Sequence, residues 1–262
     1  MRSVLTALTV LVATLILAPT VIVARLLGLR EGEHSVSQWA MRTWARTICA
    51  AGGARLVVHN PENMLRGRGC VYASNHVSWF DVFAVASVIP RYTFIAKSEL
   101  RRIPLFGWGA ESAGVVFLAR ENRKAAFESY HGAAAEVANG RSVVVCPEGT
   151  RGYEYALRPF KKGPFVLAIA ARAPVVPIVV YGAREVMPKG SFRVRPGTVH
   201  LHFLEAVETA GFDYDRRHEV MQAVWDRMAA CLRQEYGVAP SGPAVADVSA
   251  EPSAEPTVER TA

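Results

Sequence analysis

The chain has 262 residues, 51% of them hydrophobic and 20% charged, with a formal net charge of +7 and a sequence pI near 9.5. This apolar content excludes an intrinsically disordered protein, and the length suffices for one large domain with a substantial core. The excess of lysine and arginine points to anionic partners (lipid headgroups, phosphorylated substrates, an acidic carrier or nucleic acid) without choosing among them.

From Val4 to Ala24 run 21 residues without a charge, bracketed by Arg2 and Arg25. As a helix this segment reaches about 31 Å, one hydrocarbon core. Pro19 and four threonines dilute it, which leaves a re-entrant or interfacial course open, with a cleaved signal peptide as a third reading. Arg25, Arg30 and Arg42 follow it and place the main domain on the cytoplasmic side. In residues 36–48, Val36, Trp39, Ala40, Trp44 and Ile48 recur near helical spacing beside Arg42 and Arg46. Such a helix suits a membrane interface or an ordinary packing face equally. Residues 1–48 are therefore expected to anchor the chain, 49–238 to form the catalytic domain, and the Pro-, Ala-, Ser- and Glu-rich 239–262 to be a disordered tail.

Between these ends, strand-like and helix-like runs alternate. Strands are expected at 54–60, 70–75, 92–97, 112–120, 141–146 and 175–182, with a hairpin over 192–204 turning at Pro196-Gly197. Helices are expected at 79–88, from an Asn122 cap to Ala138, at 163–172, and finally along the row Val220, Val224, Met228 and Leu232, with Asp213 or Asp215 at its start. The implied fold is α/β: a layered sheet with flanking helices, behind an N-terminal membrane-associated helical segment, with chemistry on loops at one sheet edge. Cys49, Cys70, Cys146 and Cys231 are scattered without a CxxC, which indicates neither a disulfide framework nor a zinc site and fits a reducing compartment. His200 and His202 share one face of a strand without a nearby carboxylate or thiolate, a pattern that reads as a strand face rather than a metal site.

The stretch "SNHVSWFD" (74–81) admits two readings. Ser78 and Asp81 fit a capping box at the start of the helix that follows. That leaves Asn75 and His76 unexplained at a strand end. A histidine at a helix entry can also reach an aspartate five residues on, which would fix its tautomer and leave the other ring nitrogen to take a proton. No nucleophile accompanies it: "AESAG" (110–114) lacks the first glycine of a serine elbow, no cysteine has an evident electropositive setting, and no phosphate-binding glycine loop is present. The nucleophile is then a substrate hydroxyl. Cations gather at strand ends: Lys97, Arg120, Arg151 after "CPEG", and Arg158, Lys161 and Lys162 before a helix start. Together they suit a phosphate. Glu148 either orients an arginine or binds a hydroxyl.

With these residues collected, the sequence resembles the 1-acylglycerol-3-phosphate acyltransferases. "NHVSWFD" (75–81), "GVVFLAR" (114–120), "PEGTR" (147–151) and "VVPIVVYG" (175–182) match the family's four motifs in order, within a resemblance spanning about residues 50–205. It implies transfer of a fatty acyl group from an acyl-CoA or acyl-carrier-protein thioester to the hydroxyl of lysophosphatidic acid. His76 is implied as general base and Asp81 as its partner. Arg120, Glu148, Gly149, Thr150 and Arg151 are implied to form the acceptor site, with Lys97 a phosphate ligand. It implies no metal and no cofactor beyond the acyl donor, a membrane location, lipid partners and no nucleic acid. Gly152 departs from the serine that commonly follows the family's arginine, which bears on the acceptor and not on the reaction. Other readings are acylation of a different lyso-lipid such as lyso-ornithine lipid, a thioesterase, and a non-enzymatic basic membrane-binding protein.

Overall fold

The computed structural model describes residues 1–29, 31–118 and 123–244, and at residues 123–128 and 131 the backbone alone. The helices α1 (Arg2–Leu26) and α2 (Val36–Gly52) precede an alternating run. It comprises β1 (Ala54–His59), β2 (Val71–Ser74), α3 (Trp79–Val88), β3 (Tyr92–Lys97), α4 (Phe106–Ser112), β4 (Val116–Leu118) and α5 (Arg123–Ala138). It continues through β5 (Ser142–Val145), α6 (Gly163–Ala170), β6 (Val175–Tyr181), α7 (Ala183–Val186), β7 (Gly197–Phe203) and α8 (Arg217–Tyr236). The expected α/β layering is what the chain adopts.

The strands form one sheet in the order β1-β7-β6-β2-β5-β3-β4, and every pairing is parallel except β6 with β7. The central strands are short and buried on both faces, as a covered parallel sheet requires, with β5 and β6 rich in valine. Alternation along β2 sends Val71 and Ala73 into a core with α6 and α8, and Tyr72 into a second core with α2 and α3. Because β2 to β6 run the same way, their C-terminal ends open on one edge. That edge carries the site.

Local signals fix the helices. Ser35 caps α2 by accepting a bond from the Gln38 N–H, and Gly53 ends it at φ 68°, a left-handed value that glycine adopts without strain. α2 runs on through residue 48, and its Ala45, Ile48 and Cys49 are part of the core, while Trp39 stays exposed. α1 lies against α2 and α4. Leu17 and Val21 pack on Ala40 and Ala113, and a Cβ on Gly109 would stand 2.5 Å from that of Ala18, so only glycine allows this approach. Trp44 Nε1 donates to Thr14 Oγ1 at 3.0 Å, and the Val194 N–H donates to Ser3 Oγ at 2.9 Å. The other face of α1 exposes Leu5, Leu8, Leu11, Leu15 and Ile16.

Several expectations are corrected. Residues 192–204 do not form a hairpin: the strand starts at Gly197, and Phe192 is 89% exposed with no partner strand. β7 pairs instead with the preceding strand β6 and with β1, far off in sequence. Among the described residues of the expected strand over 112–120, only Val116–Leu118 is strand, and Ser112 belongs to α4. Asp213 stands ahead of α8, accepting bonds from the Asp215 and Arg216 N–H groups, and the helix begins at Arg217. Residues 239–244, expected in the disordered tail, pack on the domain: Ala244 is buried, and its carbonyl accepts from the Phe160 N–H at 2.8 Å. The remainder of that tail, Arg30, Arg120 and the Asn122 cap lie outside the described residues.

Candidate active site

β2 delivers Asn75 and His76 to the open edge. Asn75 Nδ2 donates to the Val180 carbonyl at 3.0 Å and its Oδ1 accepts from the Val180 N–H at 2.7 Å. This buried amide extends the pairing of β2 with β6 by one step and so sets where His76 emerges. Ser78 caps α3, with its hydroxyl accepting from the Phe80 N–H at 3.1 Å and donating to the Met187 carbonyl at 2.7 Å. Asp81, in the first turn, returns its Oδ2 to the Ser78 N–H at 2.7 Å and the Val77 N–H at 2.6 Å.

The same Oδ2 lies 3.0 Å from His76 Nδ1. The capping box and the His76–Asp81 contact therefore coexist, and the capping box is what positions the pair. A carboxylate at Nδ1 places the proton there and leaves Nε2 with a lone pair toward solvent or substrate. The Asp81 side chain is 2% exposed and that of His76 15%, so the dyad opens on the imidazole side alone.

The loop after β5 holds the histidine from behind. Glu148 Oε1 accepts from the His76 N–H at 3.1 Å, and the His76 carbonyl accepts from the Gly152 N–H at 2.7 Å. Arg158 Nε donates to Glu148 Oε2 at 2.9 Å, and its other nitrogens reach the hydroxyl and carbonyl of Thr150. Burial raises the Glu148 carboxyl above its ordinary range, with Arg158 opposing the rise. Glu148 thus pairs with Arg158 and also holds the backbone of His76. Gly149 turns this loop at φ 80°, which a side chain would strain.

A cavity of about 1280 Å³ starts at His76. Lys97, Glu148, Thr150, Arg151 and Lys161 line its polar end, and it continues between α2, α3 and α4 to Leu17 and Val21 of α1. The Arg151 guanidinium lies 4.8 Å from the centre of the Trp79 ring. Lys189, which motif reading passes over, also lines the cavity and donates to the Arg151 carbonyl at 2.7 Å. Among the described residues neither Lys97 nor Arg151 enters an ion pair. Of the residues singled out from the sequence, His76, Asp81, Lys97, Glu148, Gly149, Thr150 and Arg151 come together here.

A family model described as Acyltransferase matches residues 55–181. The beta form of human 1-acyl-sn-glycerol-3-phosphate acyltransferase is 30% identical over 224 residues, covering 82% of this chain and 81% of that one. The chain belongs to the 1-acyl-sn-glycerol-3-phosphate acyltransferase family. A chloroplastic 1-acyl-sn-glycerol-3-phosphate acyltransferase of Brassica napus is 40% identical over 122 residues, 47% of this chain and only 36% of the longer plant protein. The crystal structure of the 1-acyl-sn-glycerophosphate acyltransferase PlsC of Thermotoga maritima superposes with a TM-score of 0.68 at 26% identity, covering 90% of this chain and 98% of that one. In this acyltransferase the matched segment runs from β1 to the end of β6, so it includes the loops that carry His76, Lys97 and Glu148–Arg151, while Lys189 lies beyond it.

Proposed function

We propose that the enzyme moves a fatty acyl group from a coenzyme A or acyl-carrier-protein thioester to the free hydroxyl of 1-acylglycerol 3-phosphate, giving phosphatidic acid and a free thiol. One observation carries this reading: a carboxylate-paired histidine stands where a cationic pocket mouth meets a long apolar cavity. A phosphate on Arg151 and Lys97 places a lysolipid hydroxyl near His76, and the apolar depth accepts a fatty chain. Arg120 belongs to the acceptor site by the family resemblance.

His76 Nε2 takes the hydroxyl proton as the oxygen attacks the thioester carbonyl, and Asp81 stabilises the imidazolium. The carbonyl π pair moves to its oxygen, then returns as the C–S bond breaks, and the thiolate leaves with the proton from His76. Protons and electrons balance between the two substrates, so the step as written needs no oxidant or reductant.

In this reading α1 lies along the membrane surface within one leaflet. It is bound to the domain at Ser3, Thr14 and Ala18, and the face it leaves open is apolar. The domain faces the cytoplasm, a placement supported by Arg25 and Arg42 after the apolar run and by four free cysteines. Residues 1–48 supply the anchor and 49–238 the catalytic domain.

The test uses purified protein in detergent with labelled oleoyl-coenzyme A and oleoyl-lysophosphatidic acid. Wild type is expected to make phosphatidic acid, and His76→Ala to lose at least about 10²-fold in rate. Equal rates would reduce "NHVSWFD" to a helix cap, and product only with another lyso-lipid would reassign the acceptor.

A further inference from the structure

Away from the cavity, at the opposite edge of the sheet, His59, His200 and His202 converge. β1 and β7 pair in parallel with His59 opposite His202, so the three imidazoles share one face of the sheet. The His59 and His202 rings stack with centroids 4.0 Å apart and planes 3° from parallel, and His59 Nε2 lies 3.0 Å from His200 Nδ1. One nitrogen from each ring falls within 4.8 Å of the other two.

We infer that these three histidines form a binding site for a divalent late first-row transition metal, with zinc as its type. Imidazole nitrogens suit zinc, copper and nickel. Two of them on one tetrahedral zinc stand about 3.3 Å apart, close to the His59–His200 spacing. His202 is buried while His59 and His200 are half-buried, which leaves a fourth position open to water. The Tyr236 hydroxyl, 2.6 Å from His202 Nε2, fixes that ring from the far side, as an outer-shell partner does for a metal ligand. The reading of His200 and His202 as a plain strand face lacked the third ring, which comes from 141 residues away.

The ion would clip β1, the edge strand that follows the α1–α2 hairpin, onto β7. It takes no part in the proposed acyl transfer, so either proposal can fail without the other. The experiment is a calorimetric titration of the chelator-treated full-length protein in detergent with zinc chloride, alongside His59→Gln, His200→Gln and the double variant. Wild type is expected to bind one equivalent with a dissociation constant in the micromolar range or below, each single variant at least about tenfold more weakly, and the double variant not measurably. Zinc should raise the melting temperature of wild type but not of the double variant, by mass action on the folded state. Circular dichroism without metal checks folding. If His200→Gln does not fold, His59→Gln on the edge strand decides. The proposal is overturned by wild type showing no saturable binding below about 100 µM, or by the variants binding as wild type does.

Discussion

Asp81 Oδ2 faces three donors at once: the His76 ring and the N–H groups of Val77 and Ser78. An asparagine oxygen could still accept from all three, but its amide N–H groups would occupy the buried place where Oδ1 has no partner, so Asp81→Asn removes the charge at a cost of about 1–3 kcal/mol in stability. If Asp81 serves the chemistry, kcat of the folded variant should fall by at least about 10²-fold. Asp81→Ala would add the loss of a helix cap, about 1 kcal/mol of stability, which thermal or urea unfolding would register. An Asp81→Asn enzyme at full rate would confine the residue to capping. The pair itself was legible in the sequence, because five residues of spacing across a helix start is a local relation. Lys189 was not, since its bond to the Arg151 carbonyl spans 38 residues and nothing near it marks it out. Arg158 was counted among the phosphate-binding cations, yet its partners prove to be Glu148 and Thr150.

At the scale of elements, the buried strands announced themselves as short, mostly apolar runs, valine-rich in β5 and β6. The errors fell where pairing is non-local. "RPGT" resembles a turn because proline and glycine supply one, but β7 found better partners in β6 and β1 than in the residues just before it. α4 escaped notice because "FGWGAES" has poor helix propensity, and its glycines matter through non-helical contacts, Gly109 against Ala18 of α1 and Gly107 against the Arg101 backbone. The β1–β7 edge also carries a pH dependence. Burial first, then His59 and His200, push the His202 pKa from 6.5 down to about 4. Its folded value is the lower one, so the unfolded chain takes the proton first. Stability is therefore present above pH 6.5 and drains as pH falls toward about 4. The melting temperature of metal-free wild type should fall between pH 7 and pH 5, and that of His202→Asn should fall less over the same interval. Equal slopes would remove His202 as the cause.

Across the whole molecule, α1 has two faces with different duties. One packs on α2 and α4 and closes the deep end of the cavity through Leu17 and Val21, while the other is bare and apolar. Removing residues 1–27 should therefore do more than release the enzyme from membranes. With substrates dispersed in detergent, the truncated protein is expected to lose at least about tenfold in rate, the effect of roughly 1.4 kcal/mol of lost apolar contact. A helix serving only as an anchor would leave that rate unchanged. The sequence identified α1 as apolar but could not reveal what it encloses, because its partners lie on α2 and α4.

If the outer side of α1 meets lipid as proposed, a cavity walled by that helix gives the enzyme an unusual reckoning of concentration. Acceptor and product need never cross water, so turnover is governed by how many acceptor molecules share a unit of bilayer area and not by how many share a litre. Diluting the acceptor with inert lipid would slow such a catalyst even when the bulk amount of substrate is unchanged, and each product molecule would be left in the leaflet its precursor came from.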